Sequence, residues 1–249
     1  MAQAHRRSYA MKLDMERVSG GSARSFEPRF APHAEPAQLG QQQQHGVPAL
    51  AYRTFDVVVA GAALLVFLPL ILILIVAFRV ICPGPVFFVQ QRVGKDGRLF
   101  PCFKFRTMAQ DAAERLEHLL ENCEDSRREW EANQKLRCDP RITPIGQILR
   151  KTSLDEIPQL FNVLRGDMSI VGPRPIVEAE VQRYGKRFEA YCAVKPGLTG
   201  LWQVSGRNDV PYATRVRLDA IYVLRKSLTY DLGICFRTVP ALLGSHGVY

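Results

Sequence analysis

Two adjacent carboxylates, Asp155 and Glu156, lie between basic Arg150 and Lys151 on one side and Arg174, within Gly172-Pro-Arg-Pro175, on the other. Carboxylates set among cations suit phosphate chemistry, because a carboxylate attacks phosphorus only where the surrounding negative charge is neutralised. Ser153 is a good N-cap, Glu156 stands three residues later as in a capping box, and Leu154, Ile157, Leu160, Phe161 and Leu164 recur at helical spacing. The pattern predicts a helix that opens at Ser153 and stops at Gly166. Asp155 and Glu156 then sit in its first turn, where free N–H groups and the positive end of the helix dipole favour anions. Pro158 is tolerated there. A purely structural reading competes, in which the capping box uses up Glu156.

From Phe55 to Phe78 no charge follows Asp56. At the helical rise this stretch measures about 36 Å, enough to cross a hydrocarbon core of about 30 Å. Its polar lead of some fifty residues and its length exclude a cleavable signal peptide, and a buried core helix is the remaining soluble alternative. Pro69, near the middle, removes a backbone donor and obstructs the preceding turn, so a kinked crossing and a re-entrant helix broken at Pro69 are both allowed. Basic residues flank both ends: Lys and Arg outnumber Asp and Glu before the segment, and Arg79, Arg92, Lys95, Arg98, Lys104 and Arg106 follow it. The positive-inside tendency therefore favours re-entry, with both ends in the cytoplasm.

A net charge of +9 and a pI near 9.4 imply an affinity for anionic surfaces. The apolar segment favours lipid, and no zinc-finger spacing or aromatic RNA-binding signature supports nucleic acid. Six cysteines without a C-x-x-C pair read as reduced packing residues, and the scattered histidines make a zinc site improbable. Residues 1–48, rich in Ala, Gln, Arg, Ser and Pro, read as a disordered arm; 49–80 as the membrane helix; and 81–249 as a catalytic domain facing the cytoplasm.

Within that domain, Val86 to Arg92 and Leu99 to Arg106 read as strands joined around Gly94-Lys-Asp-Gly97, a β-hairpin. Lys104 and Arg106 share a parity and so a face. Ala112, Leu116, Leu119, Leu120 and Cys123 predict one long amphipathic helix between about 109 and 136. Helical periodicity returns over 177–191, 212–225 and 230–243, the last apolar enough either for the membrane interface or for the core. The Gly-rich loop from Lys195 to Asp209 could shape a nucleotide or sugar pocket. The fold class is α+β, mainly helical, in a single membrane-associated domain.

These motifs, in this order, resemble the bacterial sugar transferase family, the monotopic polyprenyl-phosphate phosphoglycosyl transferases. The resemblance covers about residues 50–249. It rests on the apolar segment with Pro69, Gln91-Arg92-Val-Gly94, Lys104-Phe-Arg106-Thr-Met108, Arg150 through Pro158, Gly172-Pro-Arg-Pro175, and Lys195-Pro-Gly-Leu-Thr-Gly200 with Trp202-Gln203. The closing pattern, Ser205-Gly-Arg-Asn-Asp209 and Tyr212-Ala-Thr-Arg215, looks most like members that place the first galactose of succinoglycan-type exopolysaccharides.

The resemblance implies transfer of a hexose 1-phosphate, galactose or glucose, from a UDP-sugar to undecaprenyl phosphate, with release of UMP. It implies that Asp155 is the nucleophile, forming a phosphosugar-aspartyl intermediate, and that Glu156 is tied to Mg²⁺. Lys104, Arg106, Arg150 and Arg174, with Arg92 and Arg207, are the implied phosphate and nucleotide contacts. Inner-membrane lipids and other polysaccharide-assembly proteins are the implied partners, with no nucleic acid among them. Leu68 before Pro69 departs from members that carry a small polar residue there. A membrane-anchored scaffold would explain the charge and the apolar segment but not the acidic pair; a membrane-bound UDP-sugar hydrolase would share the nucleophile and metal but need no lipid.

Overall fold

The computed structural model describes residues 48–82, 84–133, 136, 138–206 and 210–243. The expected arm before Pro48, and Arg207, lie outside the described residues. The described part is mostly helical with two small two-stranded sheets.

Helix α1, Ala49–Ile81, contains the whole apolar stretch and runs without interruption through Pro69. The expected break is therefore not a gap in the helix: the neighbouring turns retain helical geometry although Pro69 supplies no N–H. Leu65 and Val66 are 74% and 75% exposed, and Leu72, Ile73, Val76 and Val80 are exposed as well. A core helix would hide these side chains. Long and apolar enough to cross a membrane and mostly uncovered by protein, α1 is the membrane-associating element.

Its first turns are fastened to the rest of the chain by polar side chains. Arg53 donates through Nη1 to the Val163 carbonyl at 2.6 Å and through Nη2 to the Leu164 carbonyl, both in the last turn of the helix that ends at Arg165. Asp56, only 4% exposed, accepts from Ser169 Oγ and from the Ile170 N–H, each at 2.8 Å. At the other end, the Phe78 ring stacks on Phe105 with centroids 6.0 Å apart, and Phe105 stacks in turn on Phe87.

Strands β1, Phe87–Val93, and β2, Leu99–Phe105, pair antiparallel with Phe87 opposite Phe105 and Val93 opposite Leu99, forming the expected hairpin. Its turn needs left-handed backbone at Asp96 and Gly97, which these residue types accept readily. The free edge of β2 is completed by a side chain: Asn162, fully buried, accepts from the Phe103 N–H at 3.0 Å and donates to the Pro101 carbonyl at 2.6 Å.

Helices α2, Ala112–Asn122, and α3, Glu124–Asn133, replace the single long helix expected there. Cys123 is extended, and the Arg127 side chain takes up the Leu120 carbonyl, which ends α2. Helix α4, Pro144–Thr152, starts at Thr143, whose hydroxyl accepts from the Gly146 N–H. Ser153 is thus the end of α4, in left-handed conformation, and not the N-cap of the next helix. No capping box forms: Leu154–Glu156 is a 3₁₀ turn without a side-chain cap, and α5, Gln159–Arg165, begins only after Pro158. The competing structural use of Glu156 is thereby removed. Gly166 (φ 93°) ends α5, as its position predicts.

Strand β3, Ser169–Val171, pairs in parallel with β4, Gly197–Thr199, which comes from within the Gly-rich loop. A Cβ on Gly197 would lie 2.0 Å from the Gly172 nitrogen, so the two backbones meet at a distance that only glycine permits. The helix expected over 177–191 is broken into short pieces, with α6, Val181–Tyr184, and α7, Phe188–Cys192, separated at Gly185 (φ 50°, ψ −131°). Helices α8, Tyr212–Arg225, and α9, Leu228–Leu243, match expectation. Ile234 of α9 is buried while Phe236 and Val239 are exposed, so one face packs on the core and the other is free for the interface.

Replacing Asp56 by Ala should strand the Ile170 N–H and Ser169 hydroxyl in the interior and cost about 1–3 kcal/mol, with Asp56→Asn costing less. Thermal unfolding of the detergent-solubilised protein measures this difference.

Candidate active site

The 3₁₀ turn at Leu154–Glu156 carries the acidic pair and places Glu156 in the wall of a narrow cavity lined also by Arg92, Lys104, Gln159, Arg174 and Gln203, among others. Each cation arrives on a different element. Lys104, from β2, places Nζ 2.6 Å from Glu156 Oε1, both side chains being largely covered. Arg92, from β1, donates to the Pro175 carbonyl at 3.0 Å and so ties the hairpin to the Gly172-Pro-Arg-Pro175 turn. Arg174, in that turn, lies over the Trp202 ring at 6.0 Å, and Arg215 lies over the same ring at 4.8 Å. Arg150, from the last turn of α4, donates through Nε to Thr107 Oγ1 at 2.8 Å.

Arg106 does not join them. Its guanidinium donates to the Cys82 carbonyl at 3.0 Å, at the end of α1. It shares the parity of Lys104, but β2 ends at Phe105, so alternation no longer governs where Arg106 points.

The two carboxyls titrate apart. Burial, then the neighbouring Glu156 charge, push Asp155 up from the ordinary carboxyl value, against the pull of Lys104 and Arg150. Burial would raise Glu156 as well, but Lys104, Arg174 and Arg92 outweigh it and hold Glu156 well below the usual range. Glu156 is therefore held as an anion paired to a cation, while Asp155 is a carboxyl whose proton affinity is raised and whose ionised form is costly to bury. Neighbouring groups driven apart in this way mark a division of roles. Arg150 and Arg92 are both lowered, chiefly by burial.

Among the described residues no three His, Cys, Asp or Glu side chains converge. A cation here would take one or two carboxylates from the protein and its remaining ligands from phosphate and water. This is how Mg²⁺ is commonly held, so the acidic pair fits that ion and would suit a structural zinc poorly.

Of the residues marked by the sequence, the structure brings Asp155, Glu156, Lys104, Arg92, Arg150 and Arg174 together. Sequence reasoning did not single out Gln159, Gln203, Cys102 or Thr107. Gln159 is buried beside the acidic turn, Gln203 and Cys102 line the cavity, and Thr107 holds Arg150. Gln203 and Thr107 carried a signal, as members of the Trp202-Gln203 and Lys104-Phe-Arg106-Thr-Met108 motifs.

The family model for bacterial sugar transferases matches residues 47–245, which spans every element of this site. The chain belongs to that family. It is 47% identical over 219 residues to the exopolysaccharide production protein ExoY of Rhizobium meliloti, covering 88% of this chain and 96% of that one. It is 51% identical over 198 residues to the undecaprenyl-phosphate galactose phosphotransferase of Salmonella typhimurium, covering 79% of this chain but 41% of that longer protein. A UDP-glucose:undecaprenyl-phosphate glucose-1-phosphate transferase of Caulobacter vibrioides is 40% identical over 208 residues, covering 80% and 72%.

Removing the Lys104 charge takes away an interaction that lowers both carboxyl pKa values. In Lys104→Met both should ionise at higher pH than in the parent, with the larger rise at Glu156, which loses its 2.6 Å partner. Carboxyl ¹³C NMR titration of labelled protein checks the direction.

Proposed function

We propose that this sugar transferase moves hexose 1-phosphate, galactose in preference to glucose, from a UDP-sugar to undecaprenyl phosphate and releases UMP, the first step in assembling an exopolysaccharide repeat unit. The observation that carries this reading is the acidic pair enclosed by cations from separate elements: Lys104 at 2.6 Å from Glu156, and Arg150 acting on Asp155. The names of the relatives point the same way, galactose through the Salmonella protein and exopolysaccharide through ExoY.

Asp155 is the nucleophile. Its carboxylate oxygen attacks the sugar-bearing phosphorus of the UDP-sugar, the bond from that phosphorus to the bridging oxygen breaks, and UMP departs with the electron pair. A phosphate oxygen of undecaprenyl phosphate then attacks the same phosphorus and displaces the Asp155 carboxylate, giving the lipid diphosphate sugar. Burial of Asp155 makes its free charge costly, so approach of the carboxylate to an electrophilic phosphorus relieves an existing penalty. Lys104, Arg92, Arg150 and Arg174 screen the phosphate charges, and the forked guanidinium group suits phosphate oxygens. Glu156, with the substrate diphosphate, would hold Mg²⁺, which when bound supplies positive charge against the diphosphate and leaving UMP.

The membrane helix is re-entrant on this reading, with both ends at the cytoplasmic face of the inner membrane and the site at headgroup level. Both ends of α1 touch the same body. Arg53 holds Val163 of α5, Asn162 of α5 holds Phe103 of β2, and Phe105 of β2 stacks on Phe78. A straight helix would separate Arg53 from Phe78 by about 37 Å, and these few short links favour a bend at Pro69. Phe87 and Phe88, exposed beside the end of α1, add apolar surface there.

UMP release from UDP-galactose by the full chain should require both undecaprenyl phosphate and Mg²⁺ and fall by at least about a thousandfold in Asp155→Asn, the scale of loss when a nucleophile is removed. Steady release without the lipid would instead identify a hydrolase, and unchanged release in the variant would remove Asp155 from the chemistry.

A further inference from the structure

The cavity beside the acidic pair contains one neutral amide whose hydrogen bonding is half complete. Gln203 Nε2 donates to the Leu198 carbonyl at 3.1 Å. A carbonyl only accepts, so this contact fixes the amide: nitrogen toward β4, oxygen away from it. Gln203 Oε1 is buried and has no hydrogen-bond partner among the described residues. An unmade buried bond is costly and rare in native proteins, so a buried acceptor without a protein partner calls for a water, ion or ligand to complete it. The space around this oxygen is kept by glycine, since a Cβ on Gly200 would stand 2.9 Å from it.

The charged side chains of the cavity wall are poorly suited to reading hydroxyl groups. Arg92, Lys104 and Arg174 are donors only and suit phosphate oxygens. Glu156 is an acceptor but is committed to Lys104. Among the described residues of the wall, Gln203 Oε1 is the acceptor buried without a hydrogen-bond partner, and its complement is an O–H or N–H donor on the neutral part of the sugar nucleotide. Three groups qualify: a hexose hydroxyl, a ribose hydroxyl and the uracil imide. The hexose is bonded directly to the phosphate that Asp155 attacks, whereas the ribose and the uracil both lie beyond the second phosphate. Gln203 shares its wall with Glu156, next to that reacting centre.

We propose that Gln203 Oε1 accepts a hydrogen bond from a hydroxyl of the transferred hexose and thereby selects the sugar. This rests on the transferase reading. A site built to pair with a substrate hydroxyl rejects an analogue that lacks it, because the acceptor is then left buried and empty. Leu198 and Pro175, on the same wall, offer apolar contact for the ring and no hydrogen-bonding side chain.

The test uses the full chain in nanodiscs with undecaprenyl phosphate and measures kcat/KM for UDP-galactose, UDP-glucose, the monodeoxy UDP-galactoses and a donor methylated at uracil N3. Wild type should lose about tenfold or more with one deoxy donor. Gln203→Met, close in volume but lacking the acceptor, should lose a similar factor with UDP-galactose and show no further loss with that same deoxy donor. Gln203→Glu, which keeps an acceptor, should stay sensitive to it. Should the Met variant not fold, Gln203→Asn, which draws the oxygen back by one methylene, carries the same comparison. The proposal is overturned if the Met variant discriminates among all deoxy donors as wild type does, or if its insensitivity appears only toward the N3-methylated donor, which places the bond on the base. A wild type that turns over no UDP-sugar overturns the transferase reading as well, whereas an active wild type with unchanged ratios in the variants removes only Gln203.

Discussion

Placing two neighbouring carboxylates in a half-covered cavity is costly, and the fold is arranged around offsetting that cost. Like charges side by side in a poorly solvated place cannot both ionise freely. Lys104 on β2 settles Glu156 by direct contact, and Arg150 at the end of α4 draws on Asp155 from another direction. Arg92 and Arg174 add positive charge from β1 and the Gly172-Pro-Arg-Pro175 turn. Cations carried by separate elements repel one another unless something fixes them, and each is fixed: Arg92 by the Pro175 carbonyl, Arg150 by Thr107, Arg174 against Trp202. The result is one anion settled by direct pairing and one that stays costly to ionise, both ringed by cations that suit phosphate oxygens.

The same elements connect this chemistry to the membrane. The α5 helix that follows the acidic turn has its last carbonyls held by Arg53, and β3, directly after it, is held by Asp56. Both residues lie in the first turns of the apolar helix. Asn162 of α5 meanwhile completes the edge of β2, the strand that delivers Lys104. A displacement of α1 in the bilayer therefore passes through only two or three hydrogen bonds before reaching the acidic pair, which suits an enzyme whose second substrate is a lipid.

What could be read from the sequence was local. The hairpin followed from Gly94 and Gly97 between apolar strands, the end of α5 from Gly166, and α8 and α9 from uninterrupted periodicity. The cluster of Asp155, Glu156, Lys104, Arg92, Arg150 and Arg174 was legible because each lies in a short motif. Ser153 was misread because capping residues serve either end of a helix, and the Thr143-Pro144 start of α4, which decides the matter, lies ten residues upstream. The pairing of β3 with β4 joins Ser169 to Gly197 across a long stretch of chain, and three-residue strands leave almost no pattern. That pairing builds the wall bearing Gln203. Arg106 was assigned to the site by the family resemblance and to the Lys104 face by strand parity, but it lies one residue past the strand and donates to the Cys82 carbonyl. Asp56 looked like a stray charge at the edge of an apolar run, and only the tertiary fold shows it buried and bonded to β3.

The most direct measurement is a single-turnover mixture of the enzyme, Mg²⁺ and UDP-galactose without undecaprenyl phosphate, quenched in acid and examined by intact and peptide mass spectrometry. The expected result is a hexose-phosphate adduct on the peptide that contains Asp155, formed together with UMP, absent in Asp155→Asn, and discharged when undecaprenyl phosphate is added before the quench. Full turnover after addition of the lipid, with no adduct on Asp155 at any earlier time and no UMP released before it, would contradict covalent catalysis by Asp155 and require direct attack by the lipid phosphate.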